Sequence, residues 1–144
     1  MQLGAKVVTL SGPDGYIYDP DGVATEEKVN YLLEMRASNR NKVKDYADKF
    51  GVPFFPGEKP WGVKADIIMP SAMQNDVHMK EAEQIAANKI RYYIEVANMP
   101  TTNDALEFLR HQEGMIVAPS KAVNAGGVGV SALSFPLYCL VDIS

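Results

Sequence analysis

Hydrophobic positions along this chain follow two patterns: short unbroken apolar runs, and longer stretches in which apolar residues return every third or fourth position. Unbroken runs bounded by turn residues read as buried strands, and the second pattern as amphipathic helices. The runs are Ala5–Ser11, Ala65–Met69, Tyr92–Ala97 and Met115–Ala118, with a shorter one at Pro53–Phe55. Pro13-Asp14-Gly15 and Pro20-Asp21-Gly22 are turns, because proline fixes φ and glycine accepts positive φ. Tyr16-Ile17-Tyr18 between them is a small ribbon or an extended arm. Thr25 is placed to cap a helix carrying Val29, Leu32 and Leu33, with Glu26 and Glu27 in its first turn, fading by Ser38. A second helix runs from about Asn41 to Phe50, with Val43, Tyr46, Ala47 and Phe50 on its inner stripe and Gly51 past its end. Further helices are expected over Glu81–Asn88 and from Thr102 towards Gly114.

Short non-alternating strands separated by amphipathic helices predict an α/β fold with a mainly parallel sheet covered on both faces. In such sheets ligands bind beyond the carboxyl ends of the strands. Three consecutive strands are followed there by asparagines: Asn75 after Ala65–Met69, Asn98 after Tyr92–Ala97, and Asn124 after Met115–Ala118. An uncharged amide offers both donors and an acceptor, which suits ribose hydroxyls and a carboxamide. Taken singly, each is as well explained as a turn or cap residue. Ser11-Gly12-Pro13-Asp14 leaves the first run where dinucleotide folds place an acidic residue for the ribose 2′-OH; Asp14 fills that part or caps the Asp-Gly turn. No G-x-G-x-x-G motif opens the chain, so a dinucleotide fold here is expected to be an incomplete, doubly wound Rossmann-like sheet lacking its first strand and phosphate loop.

Composition narrows this further. At 144 residues, 47% hydrophobic and 22% charged, the chain is long enough to bury a core and is not disordered in character. A net charge of −4 disfavours nucleic acid as a partner. No apolar run approaches the ~20 residues of a membrane helix, and none resembles a signal peptide. The single cysteine, Cys139, allows no internal disulfide, and a cytoplasmic location is expected. His78 and His111 lie in polar stretches and read as surface histidines, Lys89 and Lys121 as solvated lysines, and no metal site is expected.

Lys6–Asp21 (KVVTLSGPDGYIYDPD), Phe54–Trp61 (FFPGEKPW), Asn98–Thr102 (NMPTT) and Ala118–Val128 (APSKAVNAGGV) closely resemble the hexameric glutamate dehydrogenases of bacteria, from about Leu3 to Ser131. That resemblance implies oxidative deamination of L-glutamate to 2-oxoglutarate with hydride passed to NAD or NADP, in a homo-hexamer. It implies that Asn75, Asn98 and Asn124 line the nicotinamide and ribose half of the cofactor site. Ser11, Gly12, Pro13 and Asp14 would then lie against the adenosine ribose, and Val128 and Ser131 would reach the substrate. The lysines and aspartate that perform the family's chemistry lie in a separate N-terminal domain, so no catalytic residue is assigned and the isolated chain is expected to be inactive. Asp14 without a neighbouring arginine leans towards NAD. A fragment of a related amino-acid dehydrogenase, or a non-catalytic binding module, is the alternative.

Two departures stand out. Met73 replaces the family's threonine or other small residue on the nicotinamide side. After Ser131 the resemblance ends, giving residues 1–131 as a partial NAD(P)-binding domain and 132–144 as a divergent tail. Pro136 stands where the family continues a helix, at a cost of about 3 kcal/mol to any helix through it. A frameshifted or truncated coding region is the expected origin of the tail.

Overall fold

The computed structural model describes residues 4–40 and 42–126. The chain divides into two compact units, the first ending at Pro60 and the second beginning at Trp61. Val128, Ser131 and the 132–144 tail lie outside the described residues.

The first unit contains β1 (Thr9–Gly12), β2 (Gly15–Tyr18), α1 (Glu26–Ala37), α2 (Val43–Phe50) and β3 (Phe54–Pro56). Its three strands pair antiparallel in the order β1-β2-β3, with Leu10 opposite Ile17 and Ile17 opposite Phe54. The first apolar run is therefore not a parallel strand. It forms a hairpin with the Tyr16–Tyr18 ribbon, because Pro13 and Asp14 reverse the chain within two residues. Gly15 completes the reversal at φ 141, where a Cβ would stand 2.2 Å from the Phe55 carbonyl oxygen. Ile17, Val23, Met35, Tyr46 and Ala47 make the core of this unit. Buried among them, the Asp19 carboxylate accepts hydrogen bonds from Lys28 Nζ at 2.6 Å, Tyr46 Oη at 2.9 Å and Gly22 N at 3.1 Å. Thr25 Oγ1 accepts from Lys28 N at 3.3 Å, so α1 starts where the cap residue places it. Gly51 ends α2 in the left-handed conformation at φ 66.

The second unit contains β4 (Ile67–Ile68), α3 (Met79–Ala87), β5 (Tyr92–Ile94), α4 (Asn103–Arg110), β6 (Ile116–Ala118) and α5 (Ser120–Val123). Here the strands are parallel, in the order β4-β5-β6. Ile68, Tyr93 and Val117 share one row of the register and one face. Ala82 and Ile85 of α3 and Ala105 and Leu109 of α4 pack into the same cluster as those three residues. The neighbouring row, Ile67, Tyr92 and Ile116, faces the other way, and Ile67 and Ile116 are 45% and 56% exposed. Among the described residues this sheet is covered on one face, not two. The fold is α/β with one antiparallel and one parallel sheet.

Candidate functional site

A parallel register aligns the carboxyl ends of β4, β5 and β6 along one edge of the sheet; Asn75 and Asn98 lie in the loops that leave β4 and β5, and Asn124 follows α5 in the segment that leaves β6. Two of these loops are tied together by backbone. Val96 N and Ala97 N donate to the Pro70 carbonyl at 3.1 and 3.0 Å, and Asn75 N donates to the Met99 carbonyl at 3.0 Å. Val77 and Thr101 then form an isolated parallel bridge, with Val77 N donating to Pro100 O and Thr102 N to Val77 O. Asn75 and Met99 both adopt left-handed backbone, at φ 54 and 49. Asparagine tolerates that region, whereas methionine is strained in it. The third loop joins through side chains: Asn124 Nδ2 donates to Asn98 Oδ1 at 3.1 Å.

This edge is therefore a rim of amides. With one Asn124 N–H used on Asn98, the pair still offers the two N–H donors of Asn98 and the carbonyl of Asn124. Asn98 is exposed and Asn124 half-buried. Around them the rim is apolar, with Met69, Met73 and Met99 each more than half exposed. Met73, the departure from the expected small residue, is the most exposed of the three.

The buried groups beneath the rim are held in place by short bonds. Tyr93 Oη and Thr101 Oγ1 are 2.7 Å apart, and burial pushes the Tyr93 phenol well above its ordinary pKa, so the ring stays neutral. Glu95, one residue past β5 and 2% exposed, accepts from Ser120 N at 3.0 Å through Oε2. Its other oxygen, Oε1, is buried without a partner among the described residues. Sequence reading passed over Glu95, although a carboxylate inside the apolar run Tyr92–Ala97 was the available signal. It also missed α5, whose four residues are too few to show a period.

Ser11, Gly12, Pro13 and Asp14 belong to the first unit, at the β1–β2 turn. Ser11 and Pro13 are exposed. Asp14 does something neither of its sequence readings anticipated: its carboxylate accepts from Val43 N at 3.1 Å and Lys44 N at 3.0 Å, capping α2 from 29 residues away. The Lys42 side chain beside that helix start makes no cap of its own. Lys121 is exposed on α5, and Lys89 lines a cleft of 570 Å³ with Asn88 before β5 and Lys64 and Asp66 before β4, at the edge away from the asparagines. His78 and His111 are exposed; Glu81 accepts from His78 N at 3.0 Å, and His111 Nδ1 lies 2.7 Å from the Glu107 carbonyl. Among the described residues no group of three metal-ligating side chains occurs, and no helix is long and apolar enough to cross a membrane.

Residues 1–136 match the sequence pattern of the family described as Glutamate/Leucine/Phenylalanine/Valine dehydrogenase. The chain belongs to that family. Over 130 residues it is 75% identical to a protein of Clostridium symbiosum called NAD-specific glutamate dehydrogenase, covering 90% of this chain and 29% of that protein. It is 44% identical over 133 residues to the NADP-specific glutamate dehydrogenase of Haemophilus influenzae, covering 92% of this chain and 29% of the relative. Among solved structures, a glutamate dehydrogenase superposes with a TM-score of 0.86 at 74% identity, and the Plasmodium falciparum glutamate dehydrogenase with 0.81 at 39%. Those two matches cover 92% of this chain, and 29% and 28% of the solved chains. The chain thus spans under a third of the length of these dehydrogenase relatives, and the family match runs to residue 136, past Ser131.

Proposed function

We propose that this chain is the nicotinamide-cofactor side of a glutamate dehydrogenase, reading the cofactor through the amide rim of Asn75, Asn98 and Asn124. The observation that carries the reading is the Asn124–Asn98 side-chain bond, which leaves paired donors and an acceptor at the sheet edge. A carboxamide needs one donor and one acceptor, and a ribose needs either, so the group fits the residues present. When bound, such a cofactor accepts hydride from the carbon of L-glutamate that becomes the keto carbon of 2-oxoglutarate. The chain's own residues orient it: the asparagines hold the carboxamide and ribose, and the exposed methionines shield that half from water.

Among the described residues, the groups directly around the Asn124–Asn98 pair are not suited to moving a proton. Glu95 is buried, the Tyr93 phenol is held neutral, and the asparagines do not titrate. Proton transfer requires a positioned group within hydrogen-bond reach of the substrate. In this reading, as the family resemblance implies, that group belongs to a separate domain, and glutamate turnover needs it. In the first unit, Ser11, Gly12, Pro13 and Asp14 are the adenosine-ribose contacts of the same reading. The Asp14 carboxylate has lone pairs left after its two backbone bonds, and its charge favours NAD over NADP. Val128 and Ser131 are its substrate contacts. The incomplete doubly wound Rossmann-like sheet, the cytoplasmic homo-hexamer, and a binding domain that ends at 131 before an unrelated tail are parts of this reading too. The names of the relatives favour glutamate over a branched amino acid.

The test is a pair of measurements. Purified chain with L-glutamate and NAD⁺ is expected to produce no NADH. Grafted in place of the matching segment of the C. symbiosum relative, it is expected to support turnover, and N98A and N124A in that hybrid to raise the KM for NAD⁺ by about tenfold each, the worth of one hydrogen bond. An unchanged KM in both variants would remove the rim from the cofactor site.

A further inference from the structure

Glu95 is out of place as a strand residue. It continues the apolar run Tyr92-Tyr93-Ile94, is 2% exposed, and keeps one carboxylate oxygen, Oε1, buried with no donor among the described residues. A buried polar atom without a partner costs stability that an apolar side chain of similar volume would not. Core packing therefore does not explain a carboxylate at this position, and its one side-chain bond must. That bond runs from Ser120 N, the first residue of α5, to Oε2 at 3.0 Å. The Glu95 backbone N–H, meanwhile, donates to the Ala118 carbonyl at 3.0 Å, fixing the same segment two residues earlier.

Four residues on, the consequence emerges at the rim. Asn124 N donates to the Ser120 carbonyl at 2.8 Å, so the single turn of α5 transmits the position of Ser120 to Asn124. Asn124 Nδ2 then donates to Asn98 Oδ1, and Asn98 lies three residues after Glu95 on the β5 loop. The path closes on itself: Glu95, Ser120, Asn124, Asn98, and back along the backbone to Glu95. α5 is too short to hold this geometry alone, and neither Asn98 nor Asn124 is buried enough for packing to fix its rotamer.

We propose that Glu95 is a positioning residue, whose carboxylate clamps the start of α5 to the end of β5 and thereby sets the Asn124–Asn98 amide pair in register. Its effect on cofactor affinity rests on the reading of the rim as a cofactor site; its effect on the amide pair does not.

The experiment compares ¹⁵N-labelled wild type, E95Q and E95A by NMR, then titrates each with NAD⁺ by calorimetry. In E95A the nuclear Overhauser effect between the Asn124 and Asn98 side-chain amides is expected to vanish, while the amides of Ala82 and Leu109 stay in place. E95Q, which keeps an acceptor oxygen, is expected to retain the effect. Its Ser120 amide proton should shift upfield as charge assistance weakens, and the Asn124 Nδ2 protons should shift with it. An Asn124–Asn98 Overhauser effect that persists in folded E95A overturns the proposal. Should E95A fail to fold, E95Q decides: an Asn124 side chain unmoved while Ser120 shifts also overturns it. In calorimetry, affinity for NAD⁺ is expected to fall about tenfold in E95A and to recover in E95Q. Equal affinity in wild type and in an E95A whose two amides have parted overturns the functional half of the proposal. Absence of binding by wild type overturns the cofactor reading, and the NMR comparison still decides the role of Glu95.

Discussion

The carboxylates of this chain illustrate how one residue type acquires different tasks from its surroundings. Asp14 caps a helix distant in sequence, Glu95 clamps two loops, and Asp19 anchors a buried network with Lys28 and Tyr46. For Asp19 burial pushes the pKa up, but the hydrogen bonds from Lys28 and Tyr46 outweigh it and leave the carboxyl below its ordinary value. A group whose folded pKa is lowered contributes stability that is whole above the unfolded pKa of about 3.9 and is lost as pH falls through the lower folded value. Denaturant midpoints of wild type are therefore expected to fall on acidification from about pH 5 downward. D19N lacks the titrating group and should start lower at pH 7 with a shallower acid limb. Identical acid limbs in the two proteins would show that Asp19 does not set the acid stability. The same network holds the Tyr46 phenol neutral, since burial, followed by the hydrogen bond to Asp19, raises its pKa.

Elements whose signals are local were legible in the sequence. Thr25 and Gly51 bracket helices where their cap chemistry places them, and α4 follows Thr102 as expected. The parallel pairing of β4, β5 and β6 was legible from their short, non-alternating apolar runs, whereas the antiparallel pairing of β1 with β2 was not. The Pro13–Gly15 turn was visible, yet nothing in the run Ala5–Ser11 revealed that it would fold back on Tyr16–Tyr18 and leave the parallel set. At the candidate site, the order strand-then-asparagine was enough to bring three loops to one edge, since a parallel register leaves no other place for them. The Asn124–Asn98 bond needed α5, and α5 needed Glu95, neither of which a periodic pattern can announce. For the hairpin, G15A is the deciding substitution. A Cβ at φ 141 and 2.2 Å from the Phe55 oxygen forces β2 and β3 apart, with a loss of about 2 kcal/mol or more in urea denaturation. A loss below about 0.5 kcal/mol would show that the turn relaxes freely.

At the scale of the whole chain, the bare face of the parallel sheet matters most. Ile67 and Ile116 stand exposed on it, beyond the reach of α3 and α4. Exposed apolar side chains of this kind bind hydrophobic dyes and promote association. The double variant I67K/I116K is expected to bind less anilinonaphthalene sulfonate and to stay monodisperse to higher concentration, with the denaturation midpoint shifted little. Undiminished dye fluorescence would place the sticky surface elsewhere. A last consequence belongs to the junction of Asn75 with Met99. Met99 sits in a backbone conformation that costs free energy when isolated, Asn75 in one that it tolerates, and the bond from the Asn75 amide to the Met99 carbonyl helps to hold both. Release of either segment removes the support of its neighbour, so the two let go together. The Asn75 amide proton becomes a timekeeper: its exchange with deuterated water clocks a concerted opening of two stretches of chain more than twenty residues apart, not the fraying of one.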